Sequence, residues 1–167
     1  MDPRNISTTG EGRGTLNGVR VARWPDTTRS RTRHFDAHDD AAIDATSRLV
    51  WMRCSVGQSW DGSTCTGYIR RFDFQAAMAF AQEQAARTGQ AWRVPNAKEL
   101  ASLVDPTRKH PAIDPVAFPN TLPDLYWTST AYAWTATGGW AVTFDGGQTL
   151  AYYDGYQLAL RLVHDAK

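Results

Sequence analysis

Four groups of side chains in this 167-residue chain are of types that could do chemistry. The first is Arg33-His34-Phe35-Asp36-Ala37-His38-Asp39-Asp40, where imidazoles and carboxylates crowd together. On an extended strand His34, Asp36 and His38 share one side, and oxygen-rich loops suit calcium. The spacing matches no known ligand pattern, so the stretch is read as a polar turn whose Asp side chains satisfy local backbone donors. The second group is Ser129 and Thr130, with His110 and His164 as candidate bases and Asp105 or Asp114 to orient one. A serine nucleophile on a Gly-x-Ser-x-Gly elbow is missing, and His110, just before Pro111, reads as a turn residue. No catalytic residue is assigned, the chain is read as a non-enzyme, and neither metal nor cofactor is expected. The third group is the pair Cys54 and Cys65, joined by Ser-Val-Gly-Gln-Ser-Trp-Asp-Gly-Ser-Thr, a loop able to bring its ends together. A disulfide there would stabilise by roughly 3 kcal/mol or somewhat less, the alternative being two free thiols in a reducing compartment. The fourth group is aromatic: Tyr132, Trp134, Tyr152, Tyr153 and Tyr156 cluster in or near turns, with Asp145 and Asp154 close in sequence. Rings at turns offer faces for the C–H surface of a sugar, and phenols and carboxylates take its hydroxyls.

The elements that must position these groups are organised around Trp92-Arg-Val-Pro-Asn-Ala-Lys-Glu-Leu100. Pro95 biases Val94 to extended backbone and stops a strand. Asn96 then caps a helix, and Glu99, three residues on, reaches back as in a capping box. Ala97, Leu100, Ala101 and Val104 share one face, with Leu103 beside them, predicting a helix over 96–104. A second helix is predicted over 73–88, capped by Asp73, stopped by Gly89, with Phe74, Ala77, Met78, Ala81 and Ala85 on one stripe. Leu49-Val-Trp-Met52 reads as a strand buried on both faces, with Trp51 as a core anchor. Prolines at 106, 111, 115, 119 and 123 make the following region a long irregular loop. Three strands then form an antiparallel meander joined by Gly-containing turns at 145–147 and 154–155, with Trp140, Val142 and Phe144 on one face, and Leu158-Ala-Leu-Arg-Leu-Val163 closes the domain.

Composition narrows the function classes. Residues 1–33 hold seven Arg against three acids, whereas the remainder carries 11 basic and 14 acidic residues. The whole chain is nearly neutral, so no global field argues for nucleic acid. Residues 1–33 read as an Arg-rich tail or arm with one edge strand over 18–24, and residues 34–167 as the folded domain. No run is apolar and long enough to insert in a membrane. Met1-Asp2-Pro3-Arg4 leads into polar sequence without a visible signal peptide.

The ordered blocks Asp44-Ala-Thr-Ser-Arg-Leu-Val-Trp51, Trp92 to Leu100, Leu103-Val-Asp105, Pro111-Ala-Ile-Asp114, Phe118-Pro119, Tyr126-Trp-Thr-Ser-Thr130 and Leu160-Arg-Leu-Val163 resemble the Lcl C-terminal domain. That family occurs in bacterial secreted and surface proteins, including collagen-like adhesins. It is similar to the C-type-lectin-like fold of formylglycine-generating enzymes. The resemblance implies an α+β fold, with two helices packed on a small twisted antiparallel sheet and long loops. It also implies a secreted, periplasmic or cell-surface location and binding to a glycan or sulfated polysaccharide. The Glu-Pro-Asn, Gln-Pro-Asp and Trp-Asn-Asp motifs of calcium-dependent lectins are missing, and both cysteines come too early for formylglycine chemistry.

The reading is therefore a non-catalytic, adhesin-like recognition module. Its ligand residues are Tyr132, Trp134, Asp145, Tyr152, Tyr153, Asp154 and Tyr156. The alternative is a protein-recognition module, such as a receptor-binding tip or an inhibitor of a partner, with a host or bacterial surface protein as partner. A homo-oligomer is compatible with either. Trp92, Arg93, Pro95, Asn96 and Glu99 are read as structural, with Arg93 bonding carbonyls of the proline-rich loop.

Overall fold

The structure, a computed structural model, describes residues 15–16, 19–20, 33–135 and 137–167. The chain divides into two units, Met1–Arg31 and Thr32–Lys167. In the first, β1 (Thr15–Leu16) pairs antiparallel with β2 (Val19–Arg20). The edge strand expected over 18–24 is thus a two-residue strand of a small hairpin, and the rest of the expected tail up to residue 32 lies outside the described residues.

The second unit is α+β. Its strands β3 (Phe35–His38), β4 (Ala41–Asp44) and β5 (Leu49–Met52) precede a short hairpin of β6 (Ser59–Trp60) and β7 (Cys65–Thr66). Helices α1 (Phe74–Thr88) and α2 (Ala97–Ala101) follow. Strands β8 (Leu125–Ala131), β9 (Gly139–Thr143), β10 (Thr149–Tyr152) and β11 (Val163–Asp165) complete it. One sheet has the order β11-β5-β4-β3 and a second β10-β9-β8, all neighbours antiparallel. The single sheet expected from sequence is therefore two sheets. The stretch read as a polar turn is strand β3, with the turn confined to Asp39 and Asp40.

Strand alternation explains how one three-stranded sheet serves two cores. Successive side chains of a strand face opposite sides. Tyr126 and Val142 enter one core with Trp51, Leu100, Phe118 and Phe144. Trp127 and Ala141 enter the other with Phe74, Ala77, Ala81, Leu160 and Leu162. Residues 158–163 alternate likewise, Ala159 and Val163 to the first core and Leu160 and Leu162 to the second. The turn at 154–155 therefore does not return that segment to the meander beside β10. The segment hydrogen-bonds β8 through Ala159 and then joins β5 as β11, stitching the two sheets together. Trp51 is fully buried, as expected of a core anchor.

The helix ends follow local chemistry. The Asp73 side chain accepts from the Ala76 amide, and Gly89 takes the left-handed conformation at φ 69°. Asn96 and Glu99 form the full capping box. Helix α2 stops at Ala101, short of the expected Val104, because the amides of Leu103 and Val104 bond back three residues in a tightened turn. Leu100 and Leu103 are nevertheless buried.

Buried cations brace the irregular regions. Arg161 is fully buried. Its Nη1 donates to the carbonyls of Met52 and Arg53, and its Nη2 to Thr121 Oγ1 at 2.8 Å and Ser55 Oγ at 3.3 Å. The guanidinium lies over the rings of Phe118 and Tyr126. Desolvation pulls its pKa below the ordinary arginine value. The planar fork lets one arginine serve acceptors on two segments, residues 52–55 and Thr121. Arg53 reaches the proline-rich loop, donating to the carbonyls of Ala117 at 3.1 Å and Val116 at 2.8 Å. That role was expected of Arg93. Arg93 instead makes a two-pronged bond to Glu99, 2.8 Å on each side, and reaches Asp165 at 3.3 Å. The backbone of Arg93 pairs with Val163, which leaves its side chain over the α2 cap rather than the loop.

Candidate functional site

The β8–β9 connection turns sharply at its base, where the Tyr132 amide donates to the Gly138 carbonyl. Gly138 lies against β10: a Cβ there would sit 2.5 Å from the Tyr152 carbonyl oxygen. Gly139 faces α1, where a Cβ would sit 2.1 Å from the Phe74 ring. The two glycines let the loop, the β10 edge and the start of α1 meet closely. In the β9–β10 register Gly139 is opposite Tyr152, so Tyr132, Gly138 and residues 152–153 come to the same end of the sheet.

Aromatic rings pack edge to face along that end. Tyr132 touches Trp140 and Tyr153 with ring centres 5.6 and 6.1 Å apart, and Tyr152 meets Tyr156 at 5.1 Å. Such pairs contribute about 0.5–1.5 kcal/mol each beyond the area they bury, so rings stiffen one another within two sets, Tyr132 with Trp140 and Tyr153, and Tyr152 with Tyr156. Trp134 at the loop tip is 85% exposed, with Tyr153 at 53% and Tyr156 at 52%. Tyr152 is half-buried against the second core. Tyr152 and Tyr153 thus face opposite ways, as strand alternation requires. Asp154 is exposed and accepts from the Gly155 amide at 3.0 Å.

Of the seven residues expected to bind ligand, six lie along this end. Asp145 does not. It follows β9 at the opposite end of the strand and contacts His110 Nδ1, while the His110 amide donates to its carbonyl. A ligand small enough to sit on the rings does not reach it. Trp140, not assigned a ligand role from sequence, joins the ring cluster through Tyr132; its half-buried position departs from the core face it was expected to share with Val142 and Phe144.

The other candidate groups are separated. Cys54 and Cys65 form a disulfide. His38 pairs with Asp36 at 2.7 Å, and no metal-binding cluster of three ligands occurs among the described residues. Thr130 Oγ1 accepts from the Ala97 amide, and the Ser129 amide donates to the Pro95 carbonyl. His164 stacks edge-on against Trp92.

Sequence reasoning named no ligand residue in a groove of about 930 Å³ beside the disulfide loop. Asp39, Trp60, Arg70, Phe80, Gln84 and Arg87 line it. Arg53 covers the Trp60 ring at 3.9 Å, and Arg70 lies 5.0 Å from both Phe72 and Phe80. Desolvation lowers the Arg53 pKa, with Asp39 opposing it. These residues come from the β3–β4 turn, the disulfide loop, the β7–α1 connection and α1, so no local spacing announces them. The Cys54–Cys65 bridge, which folds Trp60 back over Arg53, was the one available signal.

Residues 40–164 match the model of the Lcl C-terminal domain, and the chain belongs to that family. Comparison with curated proteins and with solved structures returns no significant match. Among the described residues no helix is long and apolar enough to cross a membrane.

Proposed function

We propose that this domain is a non-catalytic recognition module of a secreted or surface bacterial protein. It binds a glycan on the aromatic rim formed by Tyr132, Trp134, Tyr152, Tyr153 and Tyr156. The observation that carries this reading is the exposure of Trp134, Tyr153 and Tyr156 at one end of a sheet whose other rings are packed. Large exposed rings are costly to leave in water, and several of them at one end of a sheet favour a binding role there. Sugar C–H faces stack on such rings, while phenol hydroxyls and Asp154 take the hydroxyls. The disulfide fits an oxidising compartment. The scaffold reads as C-type-lectin-like. Two features support that reading: β11 closes the domain beside β5, and a separate three-stranded sheet carries the long loops.

A glycan array probed with wild type, Trp134→Ala and Tyr153→Ala tests the site. Loss of binding in both variants, with folding intact, is expected; binding equal to wild type in both rejects it. The alternative, a protein-recognition module, draws on β10, an edge strand with Leu150 42% exposed. An open strand edge can accept a strand from another chain. Glycan-free wild type that captures a purified surface protein through Leu150 would favour that reading.

A further inference from the structure

We infer that the aromatic rim selects uncharged sugar polymers and disfavours sulfated or uronic ones, an inference that rests on the glycan-binding reading above. From Pro111 to Leu160 the chain contains no Lys, Arg or His, and its ionisable acids there are Asp114, Asp124, Asp145 and Asp154. This stretch supplies all of the three-stranded sheet and both aromatic turns. Asp124 is ion-paired with Arg71 and Asp145 contacts His110, so Asp154 is the carboxylate at the rings without a salt bridge among the described residues.

Of the basic residues that touch the sheet, Arg71 does so away from the rings and Lys98 nearer to them, beside the end of β8. Arg71 meets it at Asp124, before the first residue of β8, whereas the rings follow the last. Lys98 is exposed on α2, next to Ala97, whose amide bonds Thr130 on β8. Neither belongs to the ring set. The groove of Arg70 and Arg87 is lined by none of the rim residues.

A sulfate or carboxylate on a bound sugar would therefore meet Asp154 and aromatic faces. Like charges repel, the negative face of an aromatic ring adds to that repulsion, and no guanidinium or ammonium in the ring set offsets either. A neutral hexopyranose loses nothing on this surface. Its apolar face covers Trp134, Tyr153 or Tyr156, and Asp154 accepts from a hydroxyl. Polyanions are drawn to cations wherever the chain carries them, the seven Arg of residues 1–33 included. Bulk binding to a polyanion thus reports on those cations, and the test must read the rim itself.

The test uses the full chain, wild type and Trp134→Ala, with neutral glucan, galactan, mannan and chitin oligosaccharides and the sulfated form of each. Isotherms are taken from about 0.01 M to about 1 M salt, which shortens the screening length from roughly 30 Å to roughly 3 Å. At least one neutral oligosaccharide is expected to bind with a salt-independent Kd and to weaken about tenfold in Trp134→Ala. Its sulfated form is expected to bind more weakly or with no response to that substitution. Tighter binding of a sulfated form that Trp134→Ala abolishes would overturn the inference while sparing glycan recognition. Failure of every oligosaccharide, neutral and sulfated, to respond to Trp134→Ala would reject the glycan-binding reading itself.

Discussion

Arg93 and Glu99 show what a paired charge does beside a short helix. Burial pushes the Glu99 carboxyl upward, but the Arg93 guanidinium and the Asn96 amide outweigh it, leaving the group below the ordinary glutamate value. Arg93 is held above the ordinary arginine value, first by its bond to Glu99. The pair sits on the α2 cap and is engaged with Asn96 and Asp165 rather than with a ring of the rim. Arg93→Ala is expected to lower stability by about 1 kcal/mol, since a half-exposed pair is screened by water, and to leave ligand binding unchanged. Unchanged melting with lost binding would show the opposite. The same geometry sets a pH dependence. A carboxyl whose folded pKa is depressed contributes stability that is complete above its unfolded value, about 4.3, and is lost as pH falls through the folded value. Asp105, lowered by bonds from Thr107 and Arg108 despite some burial, acts with the same sign. Urea midpoints should therefore fall as pH drops below about 4.3, and Glu99→Gln should flatten that fall. An equally steep fall in Glu99→Gln would remove Glu99 from the account.

At the scale of elements, close approach and cross-linking decide what holds the rim. Gly139→Ala would drive a methyl into the Phe74 ring and push α1 off the sheet. The expected loss is about 1–3 kcal/mol in a denaturant melt, with rim binding weakened through the shifted β8–β9 connection. A stable, fully binding Gly139→Ala protein would mean that Phe74 rotates aside freely. Replacing both Cys54 and Cys65 by Ser should remove roughly 3 kcal/mol or somewhat less while leaving the rim intact, because the bridge closes a loop of the other sheet's side. Caps were legible in the sequence because Asp73, Gly89, Asn96 and Glu99 act within a few residues of themselves. The β9–β10 hairpin was legible for the same reason, its Gly turn at 145–147 being local, whereas the turn at 154–155 leads out of the three-stranded sheet. Residues 158–163 were not, since partners on β5 and β8 lie far away in sequence and a doubly buried run looks alike in any sheet. Arg161 inside that apolar run was a visible anomaly, and its burial among carbonyls and hydroxyls is what the anomaly meant.

For the whole domain, two cores share one three-stranded sheet, and Arg161 ties the ends of β5 and the proline-rich region to the closing segment. That construction makes the sheet a firm base and leaves its far end as the place where rings are exposed. Six of the seven ligand residues read from sequence meet there because turn residues of adjacent strands are neighbours in space. Asp145 was misplaced beside them because nearness in the chain says nothing of which end of a hairpin a residue occupies. The groove beside Trp60 is the rival location. The most direct test is an NMR titration of the full chain with the tightest-binding oligosaccharide, following the seven tryptophan indole N–H signals. The account predicts that Trp134 shifts most, with the buried Trp51 and Trp127 unmoved. A titration in which Trp60 responds and Trp134 stays still would contradict it and move the site to the groove.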